Sequence, residues 1–233
     1  DTAFEACRIA MQHMTPVILL SDGYIANGAE PWRYPQANDL PELKVQFAPP
    51  RDGSEETPFL PYARDERLVR AWAIPGTPGL THRIGGLEKE DETGNVSYDP
   101  LNHEKMIHLR EAKVEKIAEY VPEQTIEVGP DTGELLVVGW GSTYGVIRSV
   151  VRELVDEGHA VAHAHLRYIK PMPRNLGQLM GGFKKVLVPE MNRGQLAMVL
   201  REKFCRPIGQ YNKIQGIPIA KAELREAILK ALD

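Results

Sequence analysis

The stretch from Leu135 to Gly145, LLVVGWGSTYG, constrains the fold of this chain more than any other. An unbroken apolar run enters Gly139, and a turn of glycine, serine, threonine and tyrosine then opens an apolar-periodic segment. That pattern predicts a strand buried on both faces, a tight turn and a helix. Ile147, Val150, Val151, Leu154 and Val155 fall at helical spacing, and Gly158 is placed to end the helix in a left-handed conformation. A second strand, Ala160 to Arg167, follows at once. Strand, helix and strand in this order predict a right-handed crossover in a parallel sheet, with any ligand near the carboxyl ends of the strands.

The remainder of the carboxyl-terminal part repeats the alternation. Pro171 and Pro173 interrupt the chain, Asn175 is placed to cap a short helix through Leu176, Leu179 and Met180, and Lys185 to Pro189 reads as a third buried strand. A turn with Asn192 or Gly194 near a cap leads to a helix carrying Leu196, Ala197, Val199, Leu200 and Phe204. A further strand is expected within Pro207 to Ile219, and Ala220 to Leu232 is a closing amphipathic helix with Leu224, Ala227, Ile228 and Leu232 inward. The class is α/β with a mostly parallel sheet. With 233 residues, 42% of them hydrophobic, the chain can bury one large core or two small ones.

The amino-terminal part reads differently. Asp1 to His13 is a helix, and Val17 to Leu20 is a buried strand ended by a Ser-Asp-Gly turn. No earlier strand is available to pair with it and there is no initiator Met, so the expectation is a fragment that begins inside a domain. From Pro31 to about Gly86 prolines rule out interior helix and central strand. Trp32, Tyr34, Phe59, Tyr62 and Trp72 argue that this arm packs on a partner or neighbouring domain, since disordered tracts are poor in aromatics. In the glycine-rich segment that follows, His82 and Arg83 offer cationic groups to a carboxylate, with a solvated loop as the alternative. Asp99-Pro100 is an N-cap followed by proline at the first helical position, opening a helix through Met106, Leu109, Val114, Ile117 and Ala118. His103 and His108 on it are not at the i, i+4 spacing of a helical zinc pair, so no metal site is assigned.

Charge and composition exclude several function classes. A net charge of -4 gives no electrostatic footprint for nucleic acid or an acidic membrane. Neither a membrane-spanning apolar run nor a secretory signal pattern is present, which points to a cytoplasmic protein. Cys7 and Cys205 lack C-x-x-C spacing, cannot supply a four-cysteine iron–sulfur cluster, and read as reduced, buried thiols. Gly139 to Gly145 spells G-x-G-x-x-x-G, a loose relative of the dinucleotide fingerprint, but no Asp or Glu ends the second strand to hold a ribose. Capping of a helix by Ser142 or Thr143 explains the same turn. His163, His165 and Arg167 alternate onto one face of the second strand, which implies a sheet edge or an inter-domain contact there. Asp22 and Tyr24, after the first strand, are a second candidate contact for substrate or partner, with Asp-Gly turn formation as the alternative.

Several blocks together carry a family resemblance. SDGYIANGAEPW, AIPGTPGLTHRIGGLEKEDETGNVSYDPLNHEKM, VGWGSTYG, AHAHLRYIKPMP and VLVPEMNRGQLA occur in the same order as in the α subunit of 2-oxoacid:ferredoxin oxidoreductases, and the chain is most similar to the 2-oxoglutarate type. The resemblance implies a thiamine diphosphate enzyme that decarboxylates 2-oxoglutarate oxidatively, passes electrons through iron–sulfur centres to ferredoxin and forms succinyl-CoA from coenzyme A. It implies that residues 1–43 are the carboxyl-terminal part of the domain facing the thiamine pyrimidine. Residues 44–133 would be a connecting arm and helix, and residues 134–233 a domain resembling the transketolase C-terminal domain. A β subunit would bind the diphosphate, Mg²⁺ and a cluster, in an oligomer of αβ units.

The pyrimidine-activating glutamate of the family would precede Asp1. The chain alone is therefore expected to bind no thiamine diphosphate, to hold no metal and to carry no catalytic residue. Asp22, Tyr24, His82 and Arg83 remain the candidate substrate or partner contacts. Two rival readings stand beside this one: a nucleotide-binding or regulatory module built on Gly139 to Gly145, and a structural domain for subunit association.

Overall fold

The computed structural model describes residues 2–40, 42–52 and 58–233, and of Ala37 the backbone alone. Asp1 and the middle of the proline-rich arm, expected as helix start and as connecting chain, lie outside these residues. The chain divides into two compact units. A front unit comprises Asp1–Leu19 with Pro31–Tyr120, and a rear unit comprises Leu20–Glu30 with Val121–Asp233. Among the described residues no helix is long and apolar enough to cross a membrane.

The rear unit is a five-stranded sheet in the order β1-β3-β2-β4-β5. Its strands are β1 (Ile126–Val128), β2 (Gly133–Trp140), β3 (Val161–Leu166), β4 (Phe183–Glu190) and β5 (Gly209–Asn212). β2 pairs in parallel with β3 and with β4, and β4 in parallel with β5, while β1 adds antiparallel to β3 at one edge. The apolar run of β2 is divided between two layers because side chains alternate across a strand. Leu136 and Val138 join a core with α5 (Leu176–Gly181) and α6 (Gln195–Phe204). Leu135 and Val137 join another with α4 (Tyr144–Asp156) and α7 (Lys221–Leu232). A parallel sheet needs such double cover, since crossover helices occupy both faces.

Local signals explain the helix ends. Gly158, at φ 93°, follows the last turn of α4 where an L side chain would be strained. Asn192 Oδ1 accepts from the amides of Gly194 and Gln195 at the start of α6. Asn175 precedes α5 but does not cap it through its side chain. Its amide instead exchanges two 2.8 Å hydrogen bonds with the backbone of Gln124, tying two loops together.

The front unit holds α1 (Thr2–His13) and α3 (Pro100–Lys116), the latter capped by Asp99, which accepts from Leu101 N at 3.0 Å. Between these helices the described chain is joined by isolated bridges, Phe47 with Trp72, Tyr62 with Glu92, Arg64 with Arg70 and Lys89 with Val96. The expected strand Val17 to Leu20 does not form. Its residues belong to no strand, and Ile18 is 84% exposed, because no strand in the described residues offers a ladder to it. Both cysteines are exposed rather than buried, in correction of the composition-based expectation. The arm's aromatics are divided: Trp32 and Tyr34 stack on each other while largely exposed, Phe59 meets His82 edge-on, and Trp72 Nε1 donates to Met11 O.

Candidate functional site

The carboxyl ends of β2, β3 and β4 in the rear unit bring together residues that the sequence scatters over more than a hundred positions. The turn after β2 is built for close packing. A side chain at Gly139 would place Cβ 2.6 Å from Ile147 Cδ1 and 3.0 Å from His165 Nδ1, so only glycine lets the strand lie this close to α4. Gly141 takes φ 58°, and Thr143 closes the turn, its hydroxyl donating to Trp140 O at 2.8 Å. These roles account for Gly139 and Gly141 without a phosphate.

The turn's amide already has an anion. Asp22 Oδ2 accepts from Ser142 N at 3.1 Å, and Oδ1 accepts from Ile25 N at 3.1 Å, capping the short helix α2 (Gly23–Ala26). Partial burial alone would raise the Asp22 pKa. Hydrogen bonds from Ser142 and from the amides of Ile25, Ser142 and Tyr24 outweigh it and hold the carboxyl below its ordinary value. A carboxylate of this chain thus stands where the dinucleotide reading would put a pyrophosphate. Tyr24 lies on α2 and is 66% exposed.

Beside the turn, His163 and His165 project from β3 on the α4 side. Tyr144 stacks near both, at 5.8 Å and 4.9 Å between ring centroids, and its hydroxyl donates to Glu127 Oε2 at 3.2 Å. The sequence implied a sheet edge or an inter-domain contact here; the edge is not found, since β3 is interior, and His163 is fully buried. A neutral imidazole resolves the conflict, because without charge it escapes most of the desolvation cost. Burial, then the neighbouring His165 and Arg148, lower the His163 pKa to about 3. Burial lowers that of His165 to about 4, against the opposing effect of Glu127. Both rings are neutral at pH 7. Among the described residues, neither nitrogen of His163 nor Nδ1 of His165 has a hydrogen-bond partner. Arg167, beyond the strand, is exposed.

A third element escaped sequence reasoning. Glu190, at the end of β4, is fully buried and accepts from Trp140 Nε1, Asn192 Nδ2 and the amides of Leu196 and Ala197, all between 3.0 and 3.2 Å. Its negative charge sits at the N-terminus of α6, where the helix dipole favours it. The signal was present: an acidic residue ending an otherwise apolar strand just before an Asn-Arg-Gly turn. The same contact fixes Trp140 toward β4.

His82 and Arg83 lie in the front unit, both exposed, with His82 Nδ1 2.7 Å from Leu80 O. Asp22 and Tyr24 belong to the rear unit, so the four candidate contacts are split between the two. His103 is bound to Glu88 at 2.6 Å, and His108 faces Glu104 at 4.0 Å. No group of three or more His, Cys, Asp or Glu among the described residues is arranged to hold a metal ion.

Comparison with known proteins agrees with the order of the blocks. Residues 1–99 match the family described as pyruvate flavodoxin/ferredoxin oxidoreductase, thiamine diP-bdg, and residues 133–222 match pyruvate:ferredoxin oxidoreductase core domain II. The chain is 49% identical over its whole length to the 2-oxoglutarate oxidoreductase subunit KorA of Mycobacterium tuberculosis, spanning 35% of that protein. Over 99% of its length it is 32% identical to subunit alpha of 2-oxoacid:ferredoxin oxidoreductase 2 of Aeropyrum pernix, spanning 36% of it. The 2-oxoglutarate:ferredoxin oxidoreductase from Magnetococcus marinus, solved with 2-oxoglutarate, coenzyme A and succinyl-CoA bound, superposes with a TM-score of 0.86. It is 28% identical, over 97% of this chain and 39% of that one. The chain thus spans little more than a third of each of these three relatives, and it belongs to the α-subunit family of the 2-oxoacid:ferredoxin oxidoreductases.

Proposed function

We propose that this chain is part of the α subunit of a thiamine diphosphate-dependent 2-oxoglutarate:ferredoxin oxidoreductase, which converts 2-oxoglutarate to succinyl-CoA and reduces ferredoxin in the cytoplasm. The observation that carries the reading is the 49% identity, without loss of any part of the chain, to a subunit named for 2-oxoglutarate. The solved relative with 2-oxoglutarate and coenzyme A bound supports the same substrates.

Three observations support leaving the cofactors to other parts of the enzyme. The helix-opening turn is occupied by Asp22, three-ligand metal groups are lacking among the described residues, and the two cysteines cannot make a four-cysteine cluster. Diphosphate, Mg²⁺ and cluster are therefore assigned to the rest of the assembly, including a β subunit. This chain's part is to shape the surroundings of the substrate and to hold subunits together. Its front residues 1–43 belong with the pyrimidine-side domain, residues 44–133 form the connecting arm and helix, and residues 134–233 form a transketolase-C-like domain.

Arg83 and His82, exposed on a loop, are assigned to the carboxylates of the substrate or to a partner surface. Tyr24 shares the partner role, and Asp22 orders the turn that presents it. Kinetics of the complete oxidoreductase with viologen or ferredoxin as acceptor test this. Arg83→Met is expected to raise KM for 2-oxoglutarate about tenfold with kcat little changed, as loss of one charged contact does. An unchanged KM refutes the Arg83 assignment, and activity on other 2-oxoacids with none on 2-oxoglutarate refutes the substrate.

A further inference from the structure

The front unit contains a cavity of about 200 Å³ beside α3, to which no role has yet been given. Arg64, Arg70, Lys89, Arg110 and Lys113 line it, and the sole carboxylate in its lining is Glu88. Such an excess of one sign in a concave, partly desolvated place is costly unless something neutralises it.

Among the described residues, two of these five cations have a carboxylate partner. Arg64 pairs with Asp91 at 2.5 Å, Arg110 reaches Glu88 at 3.4 Å, and Lys89 Nζ donates to the carbonyls of Gly86 and Leu87. Arg70 Nη1 donates to Pro61 O at 3.3 Å, and its guanidinium lies 4.2 Å from the centre of the Tyr62 ring. Lys113 Nζ donates to Met14 O at 2.9 Å. Among the described residues neither has a carboxylate partner, although both are half-buried. Burial, with Arg64 adding to it against the opposing effect of Tyr62, lowers the Arg70 pKa. Burial and then Arg70, Arg64 and Arg110 lower that of Lys113. Two cations are thus held in one cavity by neutral groups while repelling each other.

We propose that this cavity is a binding site for a phosphate group, free or as the terminal monoester of a larger ligand, with Arg70 and Lys113 as its charged contacts. A phosphate monoester brings a charge near -2 and three acceptor oxygens, which suits a lining in which Arg70 and Lys113, with Lys89 beside them, have no carboxylate partner among the described residues. A single carboxylate would neutralise only one of them. The inference is independent of the 2-oxoglutarate reading, since it uses none of the residues assigned there.

The test titrates the full 233-residue chain with inorganic phosphate, with ethyl phosphate and with glutarate, at ionic strength matched by sodium chloride. Calorimetry and the thermal midpoint are the readouts. Saturable phosphate binding is expected, weakened about 10-fold or more in Arg70→Met and in Lys113→Met, and less in Arg70→Lys, which keeps the charge. Without phosphate both Met variants should melt no lower than the parent, because each removes an unpaired cation. Should Arg70→Met fail to fold, Lys113→Met and Arg70→Lys decide in the same way. Tighter binding of ethyl phosphate than of inorganic phosphate assigns the site to an ester, and the reverse to the free ion. No saturable binding below about 10 mM, affinity unchanged in the variants, or a preference for glutarate would each overturn the proposal.

Discussion

In the rear unit the apolar residues are organised into two continuous layers on either side of a mostly parallel sheet. In the front unit helices and turns are joined instead by isolated bridges and charged contacts such as Arg64–Asp91–Lys105, Arg67–Asp65 and Glu88 with His103 and Arg110. The difference teaches where stability resides. Removal of apolar surface from water scales with area and is insensitive to salt, whereas partly exposed ion pairs are individually weak and screened. The rear unit should therefore behave as a cooperative block, and the front unit as a set of local contacts.

The sharpest way to break this contrast is to cut equal side chains from both units. Leu154→Ala, at a fully buried position on α4, is expected to destabilise the rear unit by about 3–5 kcal/mol in urea denaturation, and Leu80→Ala the front unit by nearer 2 kcal/mol. Equal losses would show that the front unit packs as tightly as the sheet. Glu190→Gln should follow at about 2–3 kcal/mol, because an amide N–H₂ would face donors that now meet a carboxylate. Trp140 emission should move with it, and unperturbed fluorescence would mean that the Trp140–Glu190 contact is dispensable.

Acid comes next in size. The folded-state pKa of His163 and His165 lies below the ordinary imidazole value of 6.5, at about 3 and about 4, so the unfolded chain binds more protons between those limits. Rear-unit stability is then full above pH 6.5 and falls as pH drops, by up to about 1.4 kcal/mol per pH unit for each histidine. His163→Leu should flatten that slope, and a slope unaltered by the substitution would place acid sensitivity elsewhere. His13 in the front unit, lowered to about 4 by burial and then by Arg67 and Arg8, adds a single such group there. The smallest effect is expected for Asp91→Asn, on the order of 1 kcal/mol and shrinking further in high salt. A salt-independent loss would mean that this ion pair acts through geometry rather than charge.

Legibility from sequence followed the same division. The LLVV run, Gly158, the Asp99-Pro100 cap and the VLVP strand could be read because each is a local signal with one physical meaning, and each stands where expected. The family was legible through whole blocks in order. What failed depended on distant partners. Val17 to Leu20 has the composition of a strand but no neighbour to pair with among the described residues. The His163–His165 face read as a sheet edge or inter-domain contact because the lowering of an imidazole pKa by burial is a property of the fold and cannot be read from spacing. Glu190 left a local signal at the end of an apolar strand, but its contact with Trp140, like the grouping of the cavity cations, is brought about only by folding.

The hydrogen bond from Ser142 N to Asp22 spans 120 positions. During synthesis Asp22 leaves the ribosome long before the β2 turn exists; its Oδ1 can cap Ile25 N at once, whereas its Oδ2 can meet Ser142 N only after that turn has been made. Closing so large a loop carries an entropic cost that grows with the logarithm of its length. Attachment of this strap is thus a late event in biogenesis, and the β2 turn acquires its final order only when the early and late portions of the polypeptide meet.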